Sequence, residues 1–151
     1  MTAHWTNPGR GGAPVGQLQE LPLLELGAIL LLRHWCDGET GRTRIAEDFA
    51  QSLTAPRTAE TVNQLGHLVT LLTQHGRRPL MRHDVQCACF GGDEALFAHM
   101  IAAATAGDTE DAMAFALTLL PPDLAWDAVQ TAAPLGRAIL TLSRQPQPTR
   151  H

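Results

Sequence analysis

The chain gathers its metal-binding and nucleophilic side chains around one stretch, His75 to Glu94, which reads HGRRPLMRHDVQCACFGGDE. Two of the three cysteines stand there as Cys87-Ala88-Cys89, with His83 just before them and Arg77, Arg78 and Arg82 alongside. Thiolate and imidazole are the donors that zinc and related transition metals prefer, and a structural zinc site takes four of them at tetrahedral corners. Cys87, Cys89 and His83 offer three. Cys36, at the end of an apolar helix, is the expected fourth. His34 could substitute, but on a helix it points roughly 160° away from Cys36, so one of the two serves and not both.

Spacing constrains the geometry further. Met81, His83, Val85, Cys87 and Cys89 share one parity, while Arg82, Asp84 and Gln86 share the other. This alternation predicts an extended, half-buried segment over Leu80 to Phe90, with His83, Cys87 and Cys89 facing the same side. On a helix His83 and Cys87 would share a face and Cys89 would point away. A flat strand would hold His83 and Cys87 about 13 Å apart at roughly 3.3 Å per residue, so one site using all three demands a bend.

The same residues admit other chemistry. Free cysteine packs as a small hydrophobe, and a Met/Val/Cys face suits a loop that merely packs against a core. Thiols one residue apart close only a small, strained ring, and strained disulfides are the labile ones. Arg82, His83 and the helix starting near Asp93 would lower a thiol pKa. Arg77, Arg78 and Arg82 precede Gly91-Gly92 at a helix start, where guanidinium and free N–H groups suit a carboxylate or phosphate, although Asp93 and Glu94 compete for that position. The reading carried forward is a small helical protein that binds a zinc-like ion through a Cys-x-Cys/His loop, with no reaction assigned. The alternatives are a metal-free helical protein–protein interaction module and a thiol redox protein. Phe90 to Glu94 also resembles part of the GGDEF signature of diguanylate cyclases. That signature belongs on a β-hairpin in an α/β domain, whereas these flanks read as helix and Ala95 replaces its closing Phe.

The positioning elements are helical. Helix one is expected from about Leu18 to Cys36, ending at Gly38; helix two from about Arg42 to Leu53; helix three from about Pro56 to His75, closed by Gly76. Asp93, Asp108 and Asp123 each follow Gly or Pro and precede an alanine-rich run, which predicts three N-caps. Pro134 should kink or split the last helix. The expected fold is therefore all-α: a compact bundle of about six helices with one long irregular Cys/His loop. Residues 1–17 are expected to be a flexible lead, 18–144 a single helical domain and 145–151 a flexible tail. Helix one is apolar around almost its whole circumference, which makes it either the central helix or a surface shared in a homodimer, the expected assembly.

Composition excludes several classes. There is no lysine, so Schiff-base and phosphate-loop lysines are absent. Ser52 and Ser143 lack a nucleophile-elbow context. A net charge of −4 without a basic run argues against nucleic acid as partner. The longest apolar stretch, Leu21 to Trp35, contains Glu25 and Arg33 and is too short to span a bilayer. An odd count of three cysteines is a poor disulfide framework and points to a reducing cytoplasm.

Overall fold

The structure, a computed structural model, describes residues 10–143. Six helices dominate: α1 (Leu23–Cys36), α2 (Glu39–Ala50), α3 (Ala55–His75), α4 (Gly92–Ala106), α5 (Thr109–Leu119) and α6 (Pro122–Ser143). A two-stranded antiparallel sheet, β1 (Pro14–Gln17) and β2 (Cys89–Gly91), accompanies them, and short 3-10 turns lie at Arg10–Gly12 and Leu18–Glu20. The all-α expectation holds. Among the described residues no helix is long and apolar enough to cross a membrane.

Much of the apolar surface of α1 is used inside the chain, although Leu23 is exposed and Leu24, Leu26 and Leu30 are only half-buried. This helix packs against α2, α3, α4 and α6, and buries Ala28, Ile29, Leu31 and Leu32. Around it the three-four seams of the other helices close the core: Ile45 and Phe49 from α2, Leu65, Val69 and Leu72 from α3, Phe97 and Ile101 from α4, Leu135 and Ile139 from α6. Gly107 adopts the left-handed conformation, φ 84°, that ends α4 and turns the chain into α5.

Several expectations need correction. Pro14–Gln17, assigned to a flexible lead, is a strand paired with Cys89–Gly91, with a bulge between Pro14 and Gly16. Its partner lies far away in sequence, and nothing in Pro-Val-Gly-Gln announces it locally. Residues 1–9 and the expected tail lie outside the described residues. Helix one begins at Leu23, beyond Pro22, and the segment before it is a 3-10 turn. Gly76 closes α3 in an extended conformation, φ −62° and ψ 153°, not a left-handed one. Pro134 does not split α6, which runs unbroken from Pro122 to Ser143. The carbonyl that Pro134 leaves without an amide partner belongs to Gln130, an exposed position.

The three aspartates do not share one role. Asp108 occupies the N-cap position of α5 but makes no side-chain capping bond. Asp123 is an exposed residue of the first turn of α6, behind Pro122. Asp93 lies inside α4 and is fully buried, because Gly91 is the N-cap and its N–H donates to the Glu94 carboxylate at 3.1 Å. The cap is thus closed from within the helix, and Asp93 is turned toward other partners.

One fully buried charge breaks the apolar pattern of α1. Arg33 is fully buried and faces the equally buried Glu94 on α4, with Nε to Oε2 at 2.6 Å and a terminal nitrogen to Oε1 at 3.0 Å. A buried ion pair of this kind is costly to break from one side, since the remaining charge is stranded in apolar surroundings. Glu94→Leu should therefore cost about 3–5 kcal/mol of unfolding free energy. Glu94→Leu combined with Arg33→Met should cost clearly less than the sum of the two single changes. Urea denaturation checks both, and single-variant losses near zero would contradict the burial.

Candidate metal centre

The candidate site is built on the loop between α3 and α4, and the structure shows how that loop is held. Between residues 81 and 89 the odd-numbered positions are half-buried and the even-numbered ones exposed, as the parity predicts. The bend that a single site demands is a turn over Asp84–Cys87, closed by the Cys87 N–H donating to the Asp84 carbonyl at 2.9 Å. It folds His83 back over the two cysteines.

Backbone carbonyls anchor the outgoing limb. Arg33 donates to the Cys87 carbonyl at 2.7 Å and the Cys89 carbonyl at 2.6 Å. The intervening Ala88 carbonyl points the other way and accepts the Leu18 N–H at 2.7 Å. This is the alternation of an extended chain, and it leaves the Cys87 and Cys89 side chains on one face. The incoming limb is anchored by Asp93, whose carboxylate accepts from both terminal nitrogens of Arg78 and from the Met81 N–H at 2.8 Å.

The donor atoms converge. His83 Nδ1 lies 3.4 Å from Cys87 Sγ and 3.3 Å from Cys89 Sγ, and the two sulfurs are 2.9 Å apart. His83, Cys87 and Cys89 form the one group of three or more potential metal ligands among the described residues, all within 4.8 Å of one another. On its far side His83 Nε2 lies 2.7 Å from the Gly12 carbonyl. A carbonyl oxygen only accepts, so Nε2 carries the proton and donates it. In the neutral ring Nδ1 then presents a lone pair to the sulfurs. Ligating histidines are oriented in just this way by a second hydrogen bond.

Glycines make the approach possible. A side chain at Gly11 would collide with the Asp93 carboxylate. One at Gly91 would come within 2.8 Å of the Gly11 carbonyl and 3.1 Å of His83 Nε2. The segment around Arg10–Gly12 thus lies against both the α4 start and the imidazole.

Cys36 is not part of the cluster. It stays half-buried at the end of α1, where burial raises its pKa against the opposing pull of Arg82 and Arg42. The structure does not bring Cys36, the expected fourth ligand, into this group: Arg82 reaches across to the Cys36 carbonyl at 3.4 Å, while the turn at Asp84–Cys87 folds His83 onto Cys87 and Cys89. Nor do the three arginines form a shared anion site. Arg77 donates to the Leu117 carbonyl at the end of α5, Arg78 is taken by Asp93, and Arg82 meets the Cys36 carbonyl. No family model, no curated protein and no solved structure matches this chain. The site is read from its own geometry.

Two residues that position the site, Arg33 and Glu94, escape a search for thiolate and imidazole ligands because they act by holding the backbone and each other. A signal does exist. Arg33 stands four residues after Ile29 and beside Leu32 at the end of the helix's apolar run, where a charge must find a partner.

Electrostatics separates the two thiols. Contact with the Cys89 side chain, then with His83, lowers the Cys87 pKa to about 7, helped by a backbone hydrogen bond from Cys89. Cys89 moves the opposite way, raised by Cys87 and by burial. For His83, burial disfavours the charged ring, but Cys87, the Gly12 carbonyl and Glu94 together outweigh it and raise the pKa. A thiolate, not a thiol, is the nucleophile. In metal-free protein the alkylation rate at Cys87 should therefore rise through an inflection near pH 7, below the roughly 8.5 of an ordinary thiol. Cys89 and Cys36 should react more slowly at neutral pH. Iodoacetamide labelling with peptide mass mapping checks the order, and equal reactivity of all three would contradict it.

Proposed function

We propose that the protein binds one zinc-like divalent ion through His83 Nδ1 and the Cys87 and Cys89 thiolates. The observation that carries this reading is the orientation of His83: Nε2 is committed to the Gly12 carbonyl while Nδ1 faces both sulfurs. A packing histidine has no need to aim its lone pair at two thiols.

The dimensions suit the ion. With zinc about 2.3 Å from each sulfur and about 2.0 Å from nitrogen, tetrahedral geometry places sulfur and nitrogen about 3.5 Å apart and the sulfurs about 3.8 Å apart. The nitrogen–sulfur separations of 3.3 and 3.4 Å are already close. The sulfurs need to open from 2.9 Å by roughly 0.9 Å, a side-chain rotation that leaves the anchored carbonyls in place. Three donors leave one corner for water or an exogenous ligand, the arrangement of sites that do more than hold a fold together. Two thiolates neutralise the charge of the ion, and the half-exposed position gives it an entry path.

Chelator-treated protein, purified without a histidine tag, should take up one zinc per chain. Cobalt should give the visible bands of a tetrahedral sulfur-containing site. His83→Ala, Cys87→Ser and Cys89→Ser should each abolish stoichiometric binding, while Cys36→Ser should leave it unchanged. Since metal must displace protons from the thiols, affinity should fall as the pH drops through about 7, where Cys87 becomes protonated. Zinc at a hundredfold excess over Kd should add about 2.7 kcal/mol of stability. Substoichiometric metal in wild-type protein by elemental analysis would overturn the reading.

A further inference from the structure

The two site sulfurs have a second chemistry open to them. Cys87 and Cys89 are both free, both half-exposed and 2.9 Å apart, on a chain segment whose carbonyls are held by Arg33 and Leu18. A covalent sulfur–sulfur bond is about 2.04 Å long, and a tetrahedral metal would hold the same atoms about 3.8 Å apart. The observed separation lies between these distances, so side-chain rotation leads from it to either state. We propose that Cys87 and Cys89 are a dithiol/disulfide couple oxidised by a hydroperoxide, and that closing the disulfide ejects the metal.

The Cys87 thiolate attacks one oxygen of the hydroperoxide; the O–O bond breaks, and the departing oxygen takes up a proton to leave as an alcohol, or as water from hydrogen peroxide. Cys87 is now a sulfenic acid. The Cys89 sulfur then attacks the Cys87 sulfur, the S–O bond breaks, and the hydroxyl leaves as water, taking the Cys89 proton in the metal-free dithiol or a proton from solvent where Cys89 is a metal-bound thiolate. Two electrons pass from the sulfur pair to the peroxide. The metal keeps its oxidation state and departs because two anionic ligands have become one neutral disulfide, leaving His83 alone. A dithiol reductant reverses the reaction by two successive exchanges, itself ending as a disulfide.

Three features favour this couple over an unreactive pair. No hydrogen bond to another element has to break for the sulfurs to meet, since their neighbours are each other and His83. The loop backbone is fixed at Cys87, Ala88 and Cys89, so the resolving thiol is held against the oxidised one. The ring closed across a single residue is small and exposed, the kind of disulfide that a thiol pool reopens. Cys36 takes no part, being outside the cluster.

The ejection half of this proposal rests on the metal reading, and the disulfide half does not. The experiment treats zinc-loaded and chelator-treated full-length protein with hydrogen peroxide. It follows zinc with a chromogenic chelator, free thiols by titration and the intact mass. The expected result is loss of two thiols of the three, a mass lower by two hydrogens, zinc release at the same rate, and full recovery with dithiothreitol. Peptide mapping should show Cys36 still alkylatable. Cys89→Ser should stop at a sulfenic acid that dimedone captures. Disulfide formation in protein that never takes up zinc would leave this couple standing and remove the metal reading. Stoichiometric zinc with sulfinic or sulfonic products, chain-to-chain crosslinks or a Cys36 disulfide would overturn the couple and leave the metal reading intact.

Discussion

A guanidinium buried without partners would not be tolerated, and the local architecture follows from how Arg33 is satisfied. Its Nε and one terminal nitrogen meet Glu94, and its terminal nitrogens also reach the Cys87 and Cys89 carbonyls. The ion pair requires the first turn of α4 to sit against α1, and the two carbonyl bonds require the chain entering α4 to arrive extended. Because those carbonyls are two residues apart, the side chains of Cys87 and Cys89 emerge together on one face. A charge in the core thus determines where two thiols stand on the surface.

Asp93 and Gly12 complete the frame. The sequence-adjacent carboxylates Asp93 and Glu94 sort into separate tasks, the first holding Arg78 and the Met81 amide, the second holding Arg33 and the Gly91 amide. Between the two anchored limbs lies the turn at Asp84–Cys87, and the Gly12 carbonyl holds the imidazole from the opposite side. Polar groups with fully satisfied partners make such a network rigid.

The division of labour has a chemical consequence. The loop is held by its backbone and by residues outside the His83, Cys87 and Cys89 group, while the two sulfurs and His83 Nδ1 contact one another. Rearrangement of these three side chains can therefore proceed without dismantling the ion pairs beneath them. The fold supplies a fixed platform on which the soft donors remain free to adjust by less than about an ångström.

Local patterns in the sequence determined much of this protein. Helical periodicity and glycine breaks specify the all-α bundle and, within a few residues, where most helices run, because side-chain period is a local property. Parity over Leu80 to Phe90 placed His83, Cys87 and Cys89 on one side and demanded a bend. The tertiary structure decided what local pattern cannot encode. Pairing of Pro14–Gln17 with Cys89–Gly91, the partnership of Arg33 with Glu94 and the contact of Gly12 with His83 join residues from 61 to 77 positions apart, and hydrogen bonds over such separations leave no periodic trace. Asp93 shows the limit most clearly. Its neighbours suggest a cap, but burial against Arg78 assigns it to the loop, because a carboxylate in the core goes to the nearest cation and not to the nearest helix end.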